Sequence, residues 1–306
     1  MLYDLHHTID NQGKGEGRKI MTLIQALING ILIGGFYALI GMGQNVIFGV
    51  MKIINFCQGE LLMIGMYLSY LFHAFFGIDP YLSIPLVMLC LFIMGGLTQH
   101  SLITPSLGTK SFTNLLFLTV GLGILFQNLA MMIFTADYRS ITTAYSTKTI
   151  GAAGLSMGLP KLFSLGVLIV VTVVLFYFLK ATTIGKQIRA TSQNSVGAQI
   201  VGINIKLIYI ITYGIGAALA GIAGSLLLPF YYVFPVVGAT YGTRALIVVV
   251  VGGLGNIKGA FAAGIVLGLL ETLSSLLVGP SFKDMVVFLS FILIMVVRQK
   301  LKLRDA

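Results

Sequence analysis

Long apolar runs alternate along this chain with short breaks that are polar, basic or rich in glycine. A helix that crosses a bilayer needs about 20 apolar residues, and that ruler divides the sequence. It predicts spans at residues 23–43, 60–76, 82–103, 115–134, 162–179, 207–234, 260–278 and 285–297. Residues 45–54 form an apolar stretch too short to cross alone, and residues 245–254 form another, broken by Gly252, Gly253, Gly255 and Gly259. Between spans lie a polar loop at residues 104–113, a longer one at 135–161, and a basic, non-apolar stretch at 180–206. The runs at 165–179 and 207–234 are unbroken, whereas the strands of a membrane barrel alternate apolar and polar positions. In lipid every backbone N–H and C=O must be paired inside the segment, so the prediction is an all-α, polytopic integral membrane protein of roughly eight spans plus half-length broken helices.

Composition sharpens this picture. Hydrophobic residues make up 57% and charged residues only 9%, with a mean hydropathy of +0.99. A soluble domain needs about 25% charged residues to face water. Lys and Arg number 19 against 9 Asp and Glu, a formal charge of +10. Nucleic-acid binding would require a solvated basic face; the excess reads instead as the positive-inside bias of a membrane protein. If residues 180–206 are cytoplasmic, alternation places Lys52, Lys110, Lys258 and the tail residues Arg298, Lys300, Lys302 and Arg304 on that side. Arg139, Lys148, Lys161, Arg244 and Lys283 then fall opposite, with Lys14, Arg18 and Lys19. The bias is mild. Three regions are expected: a polar N-terminal tail at 1–20, a transmembrane domain at 21–298 containing a cytoplasmic loop at 181–205, and a basic tail at 299–306. The first twenty residues lack the apolar core of a cleavable signal peptide, and Met21 is an alternative start.

The candidate chemistry is sparse. No G-x-x-x-x-G-K-[ST] stretch is present, so this chain cannot cradle ATP phosphates in that way. Cys57 and Cys90 have no metal or CxxC spacing, and His73 and His100 stand alone; no metal site, cofactor or catalytic arrangement follows. Two carboxylates, Glu60 and Glu271, lie within or at the edge of apolar spans, where an ionised group costs about 2.5–3.5 kcal/mol on insertion scales. Glu60 either lines a path or sits in a first helical turn stabilised by the dipole; Glu271 suits an interhelical polar contact. Asn45, Asn55 and Gln58 lie near Glu60 in sequence and either line a pore or bridge helices. Glycine-rich breaks at 49–59, which contains Gly59, and at 252–259, which contains Gly253 and Gly255, occupy comparable places in the two halves. Paired interrupted helices suggest an internal inverted repeat around a transport path. In the 180–206 stretch, Val196, Ile200 and Ile203 fall at the spacing of a short surface helix bracketed by Gly185 and Gly202. It is either a docking element for a cytoplasmic partner or a connector held by lipid headgroups.

Four motifs carry a resemblance. Gly185-x-x-x-Arg189-Ala190, Asn194, Ala198 and Gly202-Ile203-Asn204 resemble the cytoplasmic loop of branched-chain amino acid ABC permeases of the LivH type. Asn29-Gly30 with Tyr37-Ala38-Leu39, the run from Ile54 to Glu60, and the run from Gly252 to Ala260 are similar to the same family. Departures are Cys57-Gln58, where the family has Ala-His, and residues 298–301, which replace a proline-containing signature. The resemblance implies a permease in the cell (inner) membrane of a prokaryote. It also implies a second homologous permease subunit, two cytoplasmic ABC ATPase subunits that bind the ATP, and an extracytoplasmic solute-binding protein. Leucine, isoleucine and valine are the implied substrates, imported by alternating access, with Arg189 and its neighbours contacting the ATPase. A urea or short-chain amide permease is the rival within the class; a self-contained secondary transporter or channel is the rival outside it.

Overall fold

The computed structural model describes residues 2–107, 112–143, 145–146, 148–152 and 155–304. Lys110 lies outside the described residues, as do the side chains of the N-terminal segment and of the basic tail. Twelve α-helices are described: α1 Leu2–Met51, α2 Gln58–Phe76, α3 Pro80–Thr98, α4 Thr104–Leu107, α5 Phe112–Phe134, α6 Leu159–Ala181, α7 Thr183–Gln193, α8 Ser195–Ile200, α9 Ile205–Leu227, α10 Val237–Gly252, α11 Ile257–Leu277 and α12 Lys283–Arg304. A π-helical turn, Gln99–Ile103, joins α3 to α4. Seven of the helical segments are long and apolar enough to cross a membrane, and α10 is a shorter apolar helix. At 1.5 Å per residue the 16 residues of α10 reach about 24 Å, less than a bilayer core.

Three expectations change. Residues 45–54 are no separate half-length element: α1 runs unbroken to Met51 and stops where Lys52 adopts a positive φ of 57°. The predicted span at 207–234 divides, with α9 ending at Leu227 before an irregular segment that leads into α10. The long loop after α5 contains a short antiparallel hairpin, Thr149–Ala152 (β1) paired with Leu155–Gly158 (β2).

Helix ends follow the residues that satisfy their free backbone groups. Gly77 closes α2 at φ 64°, with backbone bonds back to His73 and Phe72. Asp79 caps α3 by accepting from Tyr81 N, and Pro80 occupies the first turn. Thr182, Asn194, Asn204 and Asn256 each accept a backbone N–H at the start of α7, α8, α9 and α11.

Two three-helix units organise the bundle. The most extensive packing is α1 along α11 and α3 along α9, followed by α2 and α1 on α9, and α10 also packs on α1. Gly30, Gly34 and Ala38 meet Leu269, Ile265 and Gly264 in turn, so α1 and α11 are antiparallel. Gly96, Phe92 and Leu91 descend against Ile210, Gly214 and Gly221, so α3 and α9 are antiparallel too. By contrast α2 runs parallel to α9, with Gln58 near Gly216 and Gly65 near Gly221, and α10 runs parallel to α1, with Tyr241 beside Tyr37 and Val248 against Gly41. Exchanging α1, α2 and α3 for α9, α10 and α11 reproduces every one of these pairings, and α1 and α9 point in opposite directions. This is an inverted repeat. Its equivalent breaks are the α1–α2 and α9–α10 connections, rather than the 49–59 and 252–259 pair picked out by sequence. At its centre, α2 and α10 cross where Gly59 meets the backbone of Gly238 and Gly242. A side chain on Gly59 would collide with both.

The repeat is bound by small residues that let helix backbones approach. The buried face of α9 runs almost without interruption from Thr212 to Leu227, placing it at the middle of the bundle. Large apolar side chains on α5 and α6, among them Met132, Val170 and Tyr177, remain exposed, as a lipid-facing surface requires.

Candidate functional site

The α7–α8 element connects α6 to α9, at the same end of the bundle as the α1–α2 and α10–α11 breaks. Residues 183–200 form two short helices where the apolar spacing predicted one, because Asn194 ends α7 and caps α8 through Gly197 N at 2.9 Å. Gly185 packs on the backbone of Phe178 and Leu179, holding α7 tight beneath α6. Arg189 donates from its guanidinium to the Leu179 carbonyl at the end of α6, where the dipole favours a cation. Ala190 is half-buried and Ala198 buried. Gly202 turns the chain at φ 87°, Ile203 packs on the core, and Asn204 caps α9. These motif residues therefore shape the element. Its outward surface carries an apolar patch, with Val196, Ile200 and Val201 66%, 80% and 75% exposed, beside the exposed polar residues Lys186, Arg189, Gln193 and Gln199.

A second cluster ties the breaks together. Asn45 accepts from Gly255 N at 2.8 Å and donates to the Asn256 carbonyl at 3.2 Å. Gly49 lies against Gly255, whose φ is 79°, and Gly253 turns at 93°. Deeper in, Asn55 Oδ1 accepts from Cys57 N, Cys57 Sγ and Tyr213 OH at 3.3, 3.0 and 3.1 Å. Asn55 also donates to Gln58 Oε1 at 3.1 Å, and Gln58 Nε2 donates to the Gly216 carbonyl at 2.9 Å. Cys57-Gln58, the departure from the family pattern, thus fastens the start of α2 to α9. Asn45, Asn55 and Gln58 all have hydrogen-bond partners on other segments, so they bridge helices.

Glu60 and Glu271 have opposite surroundings. Glu271 is buried, accepts from Tyr37 OH at 2.7 Å, and faces Lys283 Nζ at 3.2 Å and Arg244 Nη2 at 3.7 Å. Arg244 also bonds Asp284 at 2.5 Å, so two cations and two anions join α1, α10, α11 and the start of α12. Sequence anticipated an interhelical contact for Glu271 but put Arg244 in a loop. It lies inside α10, where the polar run before residues 245–252 conceals its helical register.

Glu60 is 7% exposed and has no hydrogen-bond or ion-pair partner among the described residues. It lines an open groove of about 240 Å³ between α2, α5 and α10, with Phe56, Val120, Ile124, Gln127, Thr243 and Leu246. It stands in the first turn of α2, beside Gly238 in the first turn of α10, so two helix N-termini lie next to its carboxylate.

A multi-span helical bundle built as an inverted repeat, with polar clusters both at its helix breaks and within its spans, is an architecture that membrane transporters use. The chain belongs to the branched-chain amino acid ABC transport permease family: residues 26–297 match the family described as branched-chain amino acid transport system / permease component. It is 29% identical over 296 residues to the high-affinity branched-chain amino acid transport system permease protein BraD of Pseudomonas aeruginosa, covering 92% of this chain and 95% of that protein. The LivH protein of Escherichia coli strain K12, described in the same terms, is 28% identical over 91% of this chain and 94% of its own length. The ribose import permease RbsC of Haemophilus influenzae is 28% identical over 67% of this chain and 64% of its own length. No solved structure matches the chain.

Proposed function

We propose that this chain is the translocating subunit of an ATP-driven importer that carries leucine, isoleucine and valine into the cytoplasm of a prokaryote. A second permease subunit completes the path, two cytoplasmic ATPases bind and hydrolyse the ATP, and an extracytoplasmic binding protein delivers the solute. The observation that carries this reading, beyond family membership, is the α7–α8 element. If ATP drives this bundle, which has no phosphate-binding loop of its own, the work must come from another chain, and a motor needs something to hold. Val196, Ile200 and Val201 present an exposed apolar patch, with the charged Lys186 and Arg189 exposed on the same element, as an apolar interface core with a polar rim requires. Gly185 and Arg189 couple that face rigidly to α6, and Asn204 couples it to α9. Displacement of α7–α8 would then tilt α6 and α9 together. ATP binding on the partners would bias inward-open and outward-open states through this differential contact.

Co-reconstitution with the partner permease and ATPases in proteoliposomes tests the reading. Leucine uptake should require ATP, the ATPases and loaded binding protein. Uptake by this chain alone without ATP would establish a self-contained transporter or channel instead. ATP-dependent uptake of urea without leucine would move the assignment to the amide-transporting rival.

A further inference from the structure

We propose that Glu60 is a solute-contacting residue, receiving the α-ammonium group of the transported amino acid in the groove between α2, α5 and α10; this rests on the importer reading above. The two carboxylates in the spans differ in one respect. Glu271 is matched by Tyr37, Lys283 and Arg244. Glu60 has no such match, although it is almost as deeply buried. A buried ion without a partner is normally neutralised or lost. The starts of α2 and α10 meet at Gly59 and Gly238, and their free N–H ends make the site tolerant of negative charge without a cationic side chain. The carboxylate is left open toward the groove.

The rest of the groove matches an aliphatic zwitterion. Phe56, Val120, Ile124 and Leu246 supply an apolar wall, and Gln127 has no hydrogen-bond partner among the described residues, leaving an amide N–H for the solute carboxylate. An ammonium is a compact charge with three donors and suits a single carboxylate. At about 240 Å³ the groove falls below the roughly 300–1,000 Å³ of drug-sized ligand sites, as a small metabolite requires. It is open on one side, so the solute would be enclosed only when the second permease subunit covers it.

The assembled complex provides the test. Leucine uptake and ATP hydrolysis are measured together in proteoliposomes with leucine-loaded binding protein. Glu60→Gln keeps the size of the side chain and removes its charge. Leucine moved per ATP should fall at least about tenfold, the equivalent of one lost charged contact. Hydrolysis stimulated by the binding protein should persist, and Glu60→Asp should recover part of the transport. Unchanged leucine per ATP in Glu60→Gln would overturn the proposal. Parallel loss of assembly, hydrolysis and uptake would assign Glu60 to holding the two helix starts, and would also overturn it. Failure of the underlying reading shows separately, as an unmodified complex that takes up no leucine.

Discussion

Replacing Gly59 by alanine isolates the crossing of α2 and α10 at the centre of the repeat. The added Cβ would lie 2.6 Å from Gly242 N and 2.7 Å from Gly242 Cα, and closer still to the Gly238 carbonyl oxygen. Ordinary carbon contacts begin near ~3.5 Å, so the overlap with Gly242 Cα is about 0.8 Å, against the backbone of α10 at successive turns. Backbone cannot swing away as a side-chain tip can. The helices must separate, and overpacking of this kind costs about 1–3 kcal/mol. Alanine regains up to about 1 kcal/mol of helix propensity, leaving a net loss near 2 kcal/mol if the overlap sets the upper end. Gly121, in the middle of α5, is the matched control because nothing lies within 4 Å of a Cβ there. Thermal unfolding of the two variants in the same detergent gives the comparison. Gly59→Ala should melt about 4 °C lower and Gly121→Ala no lower than the parent, using a slope of about 2 °C per kcal/mol for a chain of this size. Equal melting temperatures for the two would refute the close crossing and with it the placement of Glu60 beside Gly238.

The other perturbations probe the polar contacts. Glu271→Gln keeps the Tyr37 contact but strips Arg244 and Lys283 of a partner; a loss of about 2 kcal/mol, typical of a charged hydrogen bond, should appear as a lower melting temperature. Asn45→Ala leaves Gly255 N unpaired, while the Asn256 carbonyl keeps its bond from Ala260 N; the loss costs about 1–3 kcal/mol and should speed amide exchange in the α10–α11 break. Arg189→Glu places a carboxylate at the negative end of α6; membrane insertion should persist while ATP-dependent uptake is abolished, and normal uptake would remove the loop from the mechanism.

Much of the fold is readable from the chain because the bilayer leaves few alternatives. Apolar length alone marks α2, α3, α5, α6 and α11 to within a few residues. Where length misled, local chemistry was responsible. Residues 45–54, an apolar stretch that carries Asn45 and Lys52, read as a separate short element, but Asn45 turns inward to the α10–α11 break and leaves α1 helical. The inverted relation could not be assigned to its true helices, since periodicity reports which face is apolar and not which neighbour covers it. The site divides along the same line. Capping residues such as Asn194 and Asn204 act on their own neighbours in sequence, so their spacing is legible. Arg244 meets Glu271 and Asp284 across 27 and 40 residues, and the groove beside Glu60 draws its walls from three separate helices. Those juxtapositions exist only after folding.

Whether the outward face of α7–α8 transmits the work of ATP hydrolysis is tested most directly by Ile200→Asp. Ile200 is 80% exposed, so the change leaves the bundle intact and alters only what docks there. A charge set into an apolar interface anchor costs about 2 kcal/mol or more, which is roughly thirtyfold in affinity. Leucine uptake by the reconstituted complex, read beside co-purification of the ATPases, should fall by at least that factor with the melting temperature unchanged. Full ATP-dependent uptake by Ile200→Asp, with the ATPases still bound, would contradict the account.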